Sequence, residues 1–173
     1  MKRVLLGFVL ALALVLAVGS ASFATPVATG DAGSLIVYGE YGPGLFLSTF
    51  YAGLGYTLAD GITIGGLVGY EEVLFEYGAF AVLGLGPIAI NAELVTTSSA
   101  PGFWGQAHAL FMFDLDPIKI GVGAGMAYVF GSSAFTVAGS VSVNLDSFAV
   151  FGTVDYSLDT AAMLFEVGVS LSF

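Results

Sequence analysis

The last eleven residues of the chain, 163–173, alternate without a break between apolar side chains and small or polar ones. Successive side chains of a strand point to opposite sides, so this alternation predicts a strand with two chemically different faces. The apolar face carries Met163, Phe165, Val167, Val169, Leu171 and Phe173. The opposite face carries Leu164, Glu166, Gly168, Ser170 and Ser172. The apolar face is stable only when protein or lipid covers it.

The same period of two continues toward the amino terminus, and clusters of Gly, Pro, Asn, Asp and Ser interrupt it at short intervals. These residue types build turns, and nine such clusters delimit ten strands. The predicted strands are 34–41, 45–58, 62–70, 74–85, 88–97, 103–114, 118–130, 134–144, 148–156 and 161–173. Most of them have the roughly 9 to 11 residues that a tilted strand needs to cross a bilayer. Eight strands are the alternative, if the short first strand and its neighbour are misread.

Strands seven to ten repeat one arrangement of faces. In the seventh strand, for example, Ile120 and Val122 lie opposite Gly121 and Gly123. The alternation keeps five charged residues away from the apolar face, and these residues are Glu76, Glu93, Lys119, Asp155 and Glu166. Aromatic residues fall near the predicted strand ends, which is typical of the two aromatic girdles of a membrane barrel.

An apolar strand face that ends in a terminal phenylalanine resembles the closing strand of bacterial outer-membrane β-barrels. The resemblance is carried by residues 163–173 and is nearest to the OmpA, OmpX and opacity-protein class of small barrels. It implies an all-β fold, a transmembrane antiparallel up-and-down β-barrel. It also implies that Phe165, Val167, Val169, Leu171 and Phe173 face outer-membrane lipid and that the terminal strand is recognised by the barrel-assembly machinery.

The amino terminus has the three parts of a secretory signal peptide. Lys2 and Arg3 precede an uninterrupted apolar stretch over residues 4–18, and small residues follow up to Ala24. The apolar stretch is shorter than the roughly 20 residues that a membrane-spanning helix needs. We therefore expect a signal peptide over residues 1–24, with cleavage after Ala21 as the second choice. Residues 25–173 then form one barrel domain in the bacterial outer membrane.

Composition independently favours a lipid-facing protein. The chain is 57% apolar and 9% charged, whereas soluble domains average roughly 45 to 50% and 25%. Without the signal peptide Lys119 is the only basic residue, which excludes nucleic acid as a partner because phosphate binding needs clustered Lys and Arg. The chain has no cysteine, so disulfides and thiolate chemistry are absent.

Two other folds fit the sequence less well than the transmembrane barrel. Residues 120–145 carry no charge and could span a bilayer as a helix, but they contain several glycines and have a period of two. A soluble periplasmic lipocalin-like binding barrel would invert the two faces. Its surface would then consist of Gly, Ser, Thr and occasional acids, without the mixed charges that keep proteins dispersed.

The candidate chemistry lies on the polar faces, which a membrane barrel turns toward its lumen. His108 is the only histidine, and no motif selects a nucleophile for it among the many serines, so we expect no enzymatic activity. The dispersed acids have no metal-ligand spacing, and we expect neither metal nor cofactor. The prediction is a lumen polar network of Glu76, Glu93, His108, Lys119, Asp155 and Glu166, in which Lys119 pairs with one or more of the acids.

The expected function follows from the number of strands. Barrels of about eight strands have interiors filled by side chains, and sixteen to eighteen strands leave an aqueous channel. Ten strands predict a narrow or blocked lumen, and a structural or narrow passive-pore role follows from it. The loops between the predicted strands are short. A small cation-preferring porin that passes small solutes is the alternative.

Overall fold

The computed structural model describes residues 32–42, 49–71, 74–98, 102–129, 131–145, 148–161 and 163–173. They form ten strands: β1 (Leu35–Gly42), β2 (Thr49–Ala59), β3 (Ile62–Glu71), β4 (Leu74–Leu85), β5 (Ile88–Thr97), β6 (Phe103–Leu115), β7 (Ile118–Val129), β8 (Ser132–Leu145), β9 (Phe148–Ser157) and β10 (Met163–Ser172). The predicted signal peptide lies outside the described residues. Within them, no helix has the length and apolar character needed to cross a membrane.

The ten strands form one closed antiparallel barrel in which each strand pairs with its neighbours in sequence. Strand β1 closes the barrel on β10, with Tyr38 opposite Ser170 and Ile36 opposite Ser172. The predicted ten-stranded up-and-down barrel is confirmed, and the eight-stranded alternative is wrong. The short first strand is present, and it completes the closure of the barrel by pairing with β10.

The two ends of the barrel differ in their connections. Both termini of the barrel lie at one end, where the backbone N–H of Leu35 donates to the Phe173 carbonyl at 3.0 Å and that of Phe173 donates to the Leu35 carbonyl at 3.0 Å. This end, here called the turn end, also carries the two-residue connections 60–61, 86–87 and 116–117. The opposite end, here called the loop end, carries the connections that follow β1, β3, β5, β7 and β9.

One predicted turn at the loop end is shorter than the sequence suggested. Residues 131–133 were expected to form the turn, but β8 already begins at Ser132, which pairs with Val129. Gly131 has a φ of 95°, a backbone conformation that glycine adopts without a steric penalty. The reversal is therefore concentrated next to this glycine, and the two serines extend the strand.

The barrel wall has an apolar outer face and an inner face that is closed to solvent. In β5 every second residue is buried, from Ala89 to Thr97, and the residues between them are exposed or half-buried. Large apolar side chains are exposed on the outer face of every strand. Examples are Val37, Leu54, Val68, Tyr77, Leu94, Phe111, Val122, Val137, Tyr156 and Val169.

Large side chains occupy the described part of the barrel interior. The buried cluster, here called the plug, consists of Tyr38, Tyr51, Leu67, Phe80, Val82, Val95, Trp104 and Phe151. Several of its rings lie over a glycine that is their direct cross-strand partner, so that the missing side chain makes room for the ring. These pairs are Tyr38 with Gly53, Tyr51 with Gly69, Phe80 with Gly65 and Phe151 with Gly168.

A glycine in β7 allows its strand to approach β6 closely, and this predicts a strong effect of a single methyl group. A side chain at Gly123 would collide with the backbone carbonyl of Ala109, which no rotamer change can move away. We expect Gly123→Ala to lower the free energy of unfolding by about 1–3 kcal/mol, the usual range for overpacking.

The matched control for this substitution is Gly66→Ala on the outer face. An added methyl group there has only the Gly78 carbonyl as a neighbour, at 3.7 Å, which is an ordinary contact. Urea unfolding of both variants in detergent micelles measures the difference. The folded and unfolded forms are separated on gels of unheated samples, where they migrate differently. Equal stability of the two variants would contradict the close approach of β6 and β7.

Candidate functional site

The lumen is the candidate site, and its buried acids lie mainly toward the loop end. Tyr51, Glu76 and Trp104 each lie within three residues of the loop-end terminus of their strand. Buried residues nearer to the turn end are uncharged, and they include apolar residues such as Ile36, Val82 and Leu110 as well as the polar residues Thr57, Thr63, Asn91 and Ser170. The described interior is thus divided along its axis into an acidic half and an uncharged half.

A carboxylate held by two aromatic donors is the centre of the acidic half. The Tyr51 hydroxyl donates a hydrogen bond to Glu76 Oε2, and the Trp104 indole Nε1 donates to Glu76 Oε1 at 3.3 Å. Glu76 is only 1% exposed. Because a buried carboxylate is costly unless it is hydrogen-bonded, both aromatic donors stabilise the position of this side chain.

Two further glutamates lie around the same tyrosine. Gln106 Nε2 donates to Glu93 Oε1 at 2.9 Å, and these residues are direct partners in the β5–β6 register. Glu93 and Glu166 are both buried and close enough to Tyr51 to act on it electrostatically, as Glu76 does. Strands β4, β5 and β10 therefore each bury one glutamate in the lumen, and Glu76 is the one that contacts the Tyr51 hydroxyl. Glu76, Glu93 and Glu166 are here called the carboxylate cluster.

A second polar group connects β6, β8 and β9. His108 Nε2 lies 2.8 Å from Thr136 Oγ1 and 3.2 Å from Asp155 Oδ1, and all three side chains are buried. A catalytic histidine contacts its orienting acid and its nucleophile through different ring nitrogens. Here one nitrogen serves both neighbours, so this arrangement is a structural bridge between strands and lacks the geometry of a triad.

Lys119 does not join the buried network, which corrects the expectation from the sequence. It is the second residue of β7, next to the turn end, and its Nζ lies 3.7 Å from Asp114 Oδ2 in the paired position of β6. Its side chain is 47% exposed and that of Asp114 is 66% exposed. At the barrel rim the ammonium group keeps its hydration, which it would lose beside Glu76, Glu93, Asp155 or Glu166.

The apolar residues of the terminal strand belong to the outer face of the barrel, and one of them is nevertheless buried. Val169, Leu171 and Phe173 are exposed and Val167 is half-buried. Phe165 alternates with the inward Glu166 and so belongs to the same face, but it is only 5% exposed. Alternation predicts the face of a residue, whereas coverage by surrounding side chains decides whether it is open to its surroundings.

Two buried oxygen atoms in the lumen belong to residues outside the predicted polar network. Asn91 Oδ1 and Ser140 Oγ have no hydrogen-bond partner. Asn91 precedes Glu93 by two residues, so both side chains project from the same face of β5. That spacing is a signal which could have added Asn91 to the predicted lumen network.

The described residues contain no group of three or more His, Cys, Asp or Glu side chains that could hold a metal ion. The carboxylate cluster therefore does not form a cage of the kind that divalent ions require, with several oxygen ligands at bonding distance. Its chemistry is that of an acidic lining with an excess of acceptors over donors.

The bond from Tyr51 to Glu76 predicts a measurable loss when its donor is removed. Hydrogen bonds to charged groups contribute about 1.5–3 kcal/mol, and a buried carboxylate that loses a donor is left undersolvated. We expect Tyr51→Phe to lower the free energy of unfolding by that amount. Tyr77→Phe is the matched control, because Tyr77 follows Glu76 in β4 but lies exposed on the outer face. Equal urea midpoints for the two variants would refute the role of this bond.

Comparison with known proteins identifies the fold. The barrel is similar to the solved structure of a KdgM porin, with a TM-score of 0.50 and 11% sequence identity, over 81% of this chain and 99% of that chain. No protein-family model matches the chain, and no curated protein matches it either. The likeness agrees with a small barrel of the outer-membrane type, and the finer likeness to OmpA, OmpX and opacity proteins stays a prediction.

Proposed function

We propose that this chain is an integral outer-membrane β-barrel with a structural or narrow passive-pore role and without catalysis. The observation that carries the proposal is the outer face, where large apolar side chains are exposed on all ten strands. Soluble monomers rarely expose contiguous apolar patches beyond a few hundred Å². A closed barrel with such an exterior satisfies its backbone hydrogen bonds internally and is stable when acyl chains surround it.

The positions of exposed aromatic residues support membrane insertion. At the loop end they are Phe50, Tyr70, Phe75, Tyr77, Phe103, Tyr128, Phe135 and Tyr156, and at the turn end they are Tyr56, Phe111, Phe113 and Phe173. Neighbouring rings contact each other at both ends, with centroids 5.8 Å apart for Phe103 and Tyr128 and 5.1 Å apart for Phe111 and Phe113. Aromatic girdles of this kind mark the two interfaces of outer-membrane barrels.

The orientation and the assembly route follow from the same class of protein. Short turns and both chain ends face the periplasm in outer-membrane barrels, so we place the turn end there. Export by the signal peptide over residues 1–24 and recognition of β10 by the barrel-assembly machinery belong to this proposal. The partners are then outer-membrane lipid, the assembly machinery and small solutes.

The exterior also argues against the soluble lipocalin-like alternative. In that alternative Val169 and Leu171 would pack inside and Glu166 and Ser170 would face water. Glu166 and Ser170 are buried, and Val169 and Leu171 are exposed. The two faces therefore have the arrangement of a membrane barrel.

A small cation-preferring channel is the second candidate function, and the composition of the lumen favours it. The buried ionisable side chains of the described interior include four acids, Glu76, Glu93, Asp155 and Glu166, together with His108. Lys119, the basic residue of the described chain, is at the rim. A lumen of one charge sign concentrates counter-ions and repels co-ions, while the plug limits the size of any passage.

Single-channel recording in planar bilayers tests this proposal. The packed plug predicts either no steps or small, infrequent steps, and a KCl gradient should give a reversal potential on the cation-selective side for any steps. Denatured protein is the matched control for bilayer leakage. Large, stable, anion-selective steps in an intact bilayer would contradict both the plug and the acidic lumen.

A further inference from the structure

The carboxylate cluster places more negative charge in the barrel than the described side chains compensate. Hydrogen bonds from Tyr51, Trp104 and Gln106 orient Glu76 and Glu93, but these donors are neutral. Lys119 lies at the turn end beside Asp114. Because several kcal/mol are needed to transfer one charge from water into a protein interior, an enclosed acidic interior attracts positive charge from solution.

An independent observation also indicates a missing donor or cation. Asn91 Oδ1 is buried without a hydrogen-bond partner, and Asn91 is only 5% exposed. The residue lies on the inner face of β5 beside Glu93 and directly opposite His108 in β6. An amide oxygen in this position costs free energy unless something binds it, and the neighbouring carboxylate would attract a positively charged ligand to it.

A second unpartnered oxygen lies on β8. Ser140 Oγ is buried at 8% exposure without a partner. Ser140 is paired with Thr153, which in turn is paired with Glu166 of the carboxylate cluster. Asn91 Oδ1 and Ser140 Oγ are thus two buried oxygens, on β5 and β8, that could act as neutral ligands of a cation.

We propose that the lumen binds a monovalent cation beside the carboxylate cluster, with Glu93 and Glu166 as the charged groups and Asn91 Oδ1 as a neutral oxygen ligand. The absence of a three-ligand metal group among the described residues disfavours a divalent ion, because Ca²⁺ and Mg²⁺ need a denser set of oxygens. A monovalent ion tolerates fewer protein ligands and can be exchanged. The inference rests on the proposed function in one respect, namely that ions reach the lumen. It adds the class of ion that binds there.

Trp104 provides a readout inside the site. It is the only tryptophan of the chain, and its indole donates to Glu76 of the cluster. Cs⁺ is a monovalent heavy ion that quenches indole fluorescence on close approach. Folded protein in detergent micelles should therefore show saturable quenching by CsCl that added KCl reverses, whereas the anion iodide should quench weakly and without saturation.

Variants separate this site from general electrostatic attraction. Glu93→Gln and Asn91→Leu should each remove the saturable component, and Asp159→Asn at the exposed loop end should leave it unchanged. K⁺ competition on the unmodified chain keeps the proposal testable even where a lumen variant does not fold. Equal quenching by Cs⁺ and iodide, linear Cs⁺ quenching, or no quenching by either ion would each overturn the site.

The outcome can be distinguished from failure of the proposed function. Saturable Cs⁺ quenching without conductance in planar bilayers supports the site and excludes the pore role. Cation-selective conductance without saturable quenching supports the pore and overturns the binding site.

Discussion

Replacing Phe80 with alanine should cause one of the largest losses of stability that a single substitution can produce in this barrel. Phe80 is buried within the plug, its ring meets that of Tyr38 edge to face at a centroid distance of 5.2 Å, and it lies over Gly65. Truncation of a buried phenylalanine costs about 3–5 kcal/mol, because transfer free energy is lost and a cavity remains. We expect a loss of this size for Phe80→Ala in urea unfolding from micelles.

The same substitution should also change permeation. Phe80 belongs to the cluster that fills the lumen, so its removal should increase the frequency or size of conductance steps in planar bilayers. Phe75→Ala is the matched control in β4, because Phe75 is exposed on the outer face near the loop end. A larger loss of stability from Phe75→Ala than from Phe80→Ala would contradict the assignment of the two faces.

A charge on the outer face should cause the second large effect. Val122 lies in the middle of β7 and is exposed on the outer face. Arginine or lysine at the bilayer midplane of a barrel costs about 2–4 kcal/mol, and near the interfaces the cost falls to about 0–1 kcal/mol. We expect Val122→Arg to lower the free energy of unfolding from lipid vesicles by the larger amount.

Two controls isolate the contribution of depth in the membrane. Val122→Ala removes the same side chain without adding charge and should cost much less. Leu115→Arg places the charge on an exposed residue at the turn end of β6, where the interface hydrates it. Equal costs for Val122→Arg and Leu115→Arg would mean that β7 does not cross a hydrocarbon layer.

The strands were predictable because their signal is local. A period of two and clusters of turn residues fix where each strand begins and which residues share a face, and Val169 and Glu166 lie on opposite faces for this reason alone. The narrow lumen was predictable from the number of strands. Boundaries moved where a single residue reverses the chain, as Gly131 does before β8.

The contacts inside the lumen were not predictable to the same degree, because they depend on the register between distant strands. His108 meets Thr136 and Asp155 only after β6, β8 and β9 are aligned around the barrel. Lys119 was assigned to the correct type of face, but alternation does not give the height of a residue along the axis. Its position near the turn end brings it to Asp114.

The aromatic rings show the same distinction between face and partner. Strand alternation gives the face on which Tyr51, Phe80 and Trp104 lie. It did not indicate that rings would lie over cross-strand glycines or that Tyr51 and Trp104 would both donate to Glu76. These pairings require a register in which each ring meets a glycine, and a single sequence does not reveal it.

The central claim is that the apolar face contacts acyl chains while the acidic face surrounds the lumen, and brominated lipids test it most directly. Bromine on an acyl chain quenches a tryptophan that touches lipid. Trp104 lies inside the barrel at 4% exposure. Leu94 precedes Val95, the cross-strand partner of Trp104, and its side chain is exposed on the outer face. In vesicles of brominated phosphatidylcholine, Trp104 should keep its fluorescence, and a Trp104→Phe, Leu94→Trp double variant should lose most of its own. Strong quenching of Trp104 together with no quenching of the double variant would contradict the account.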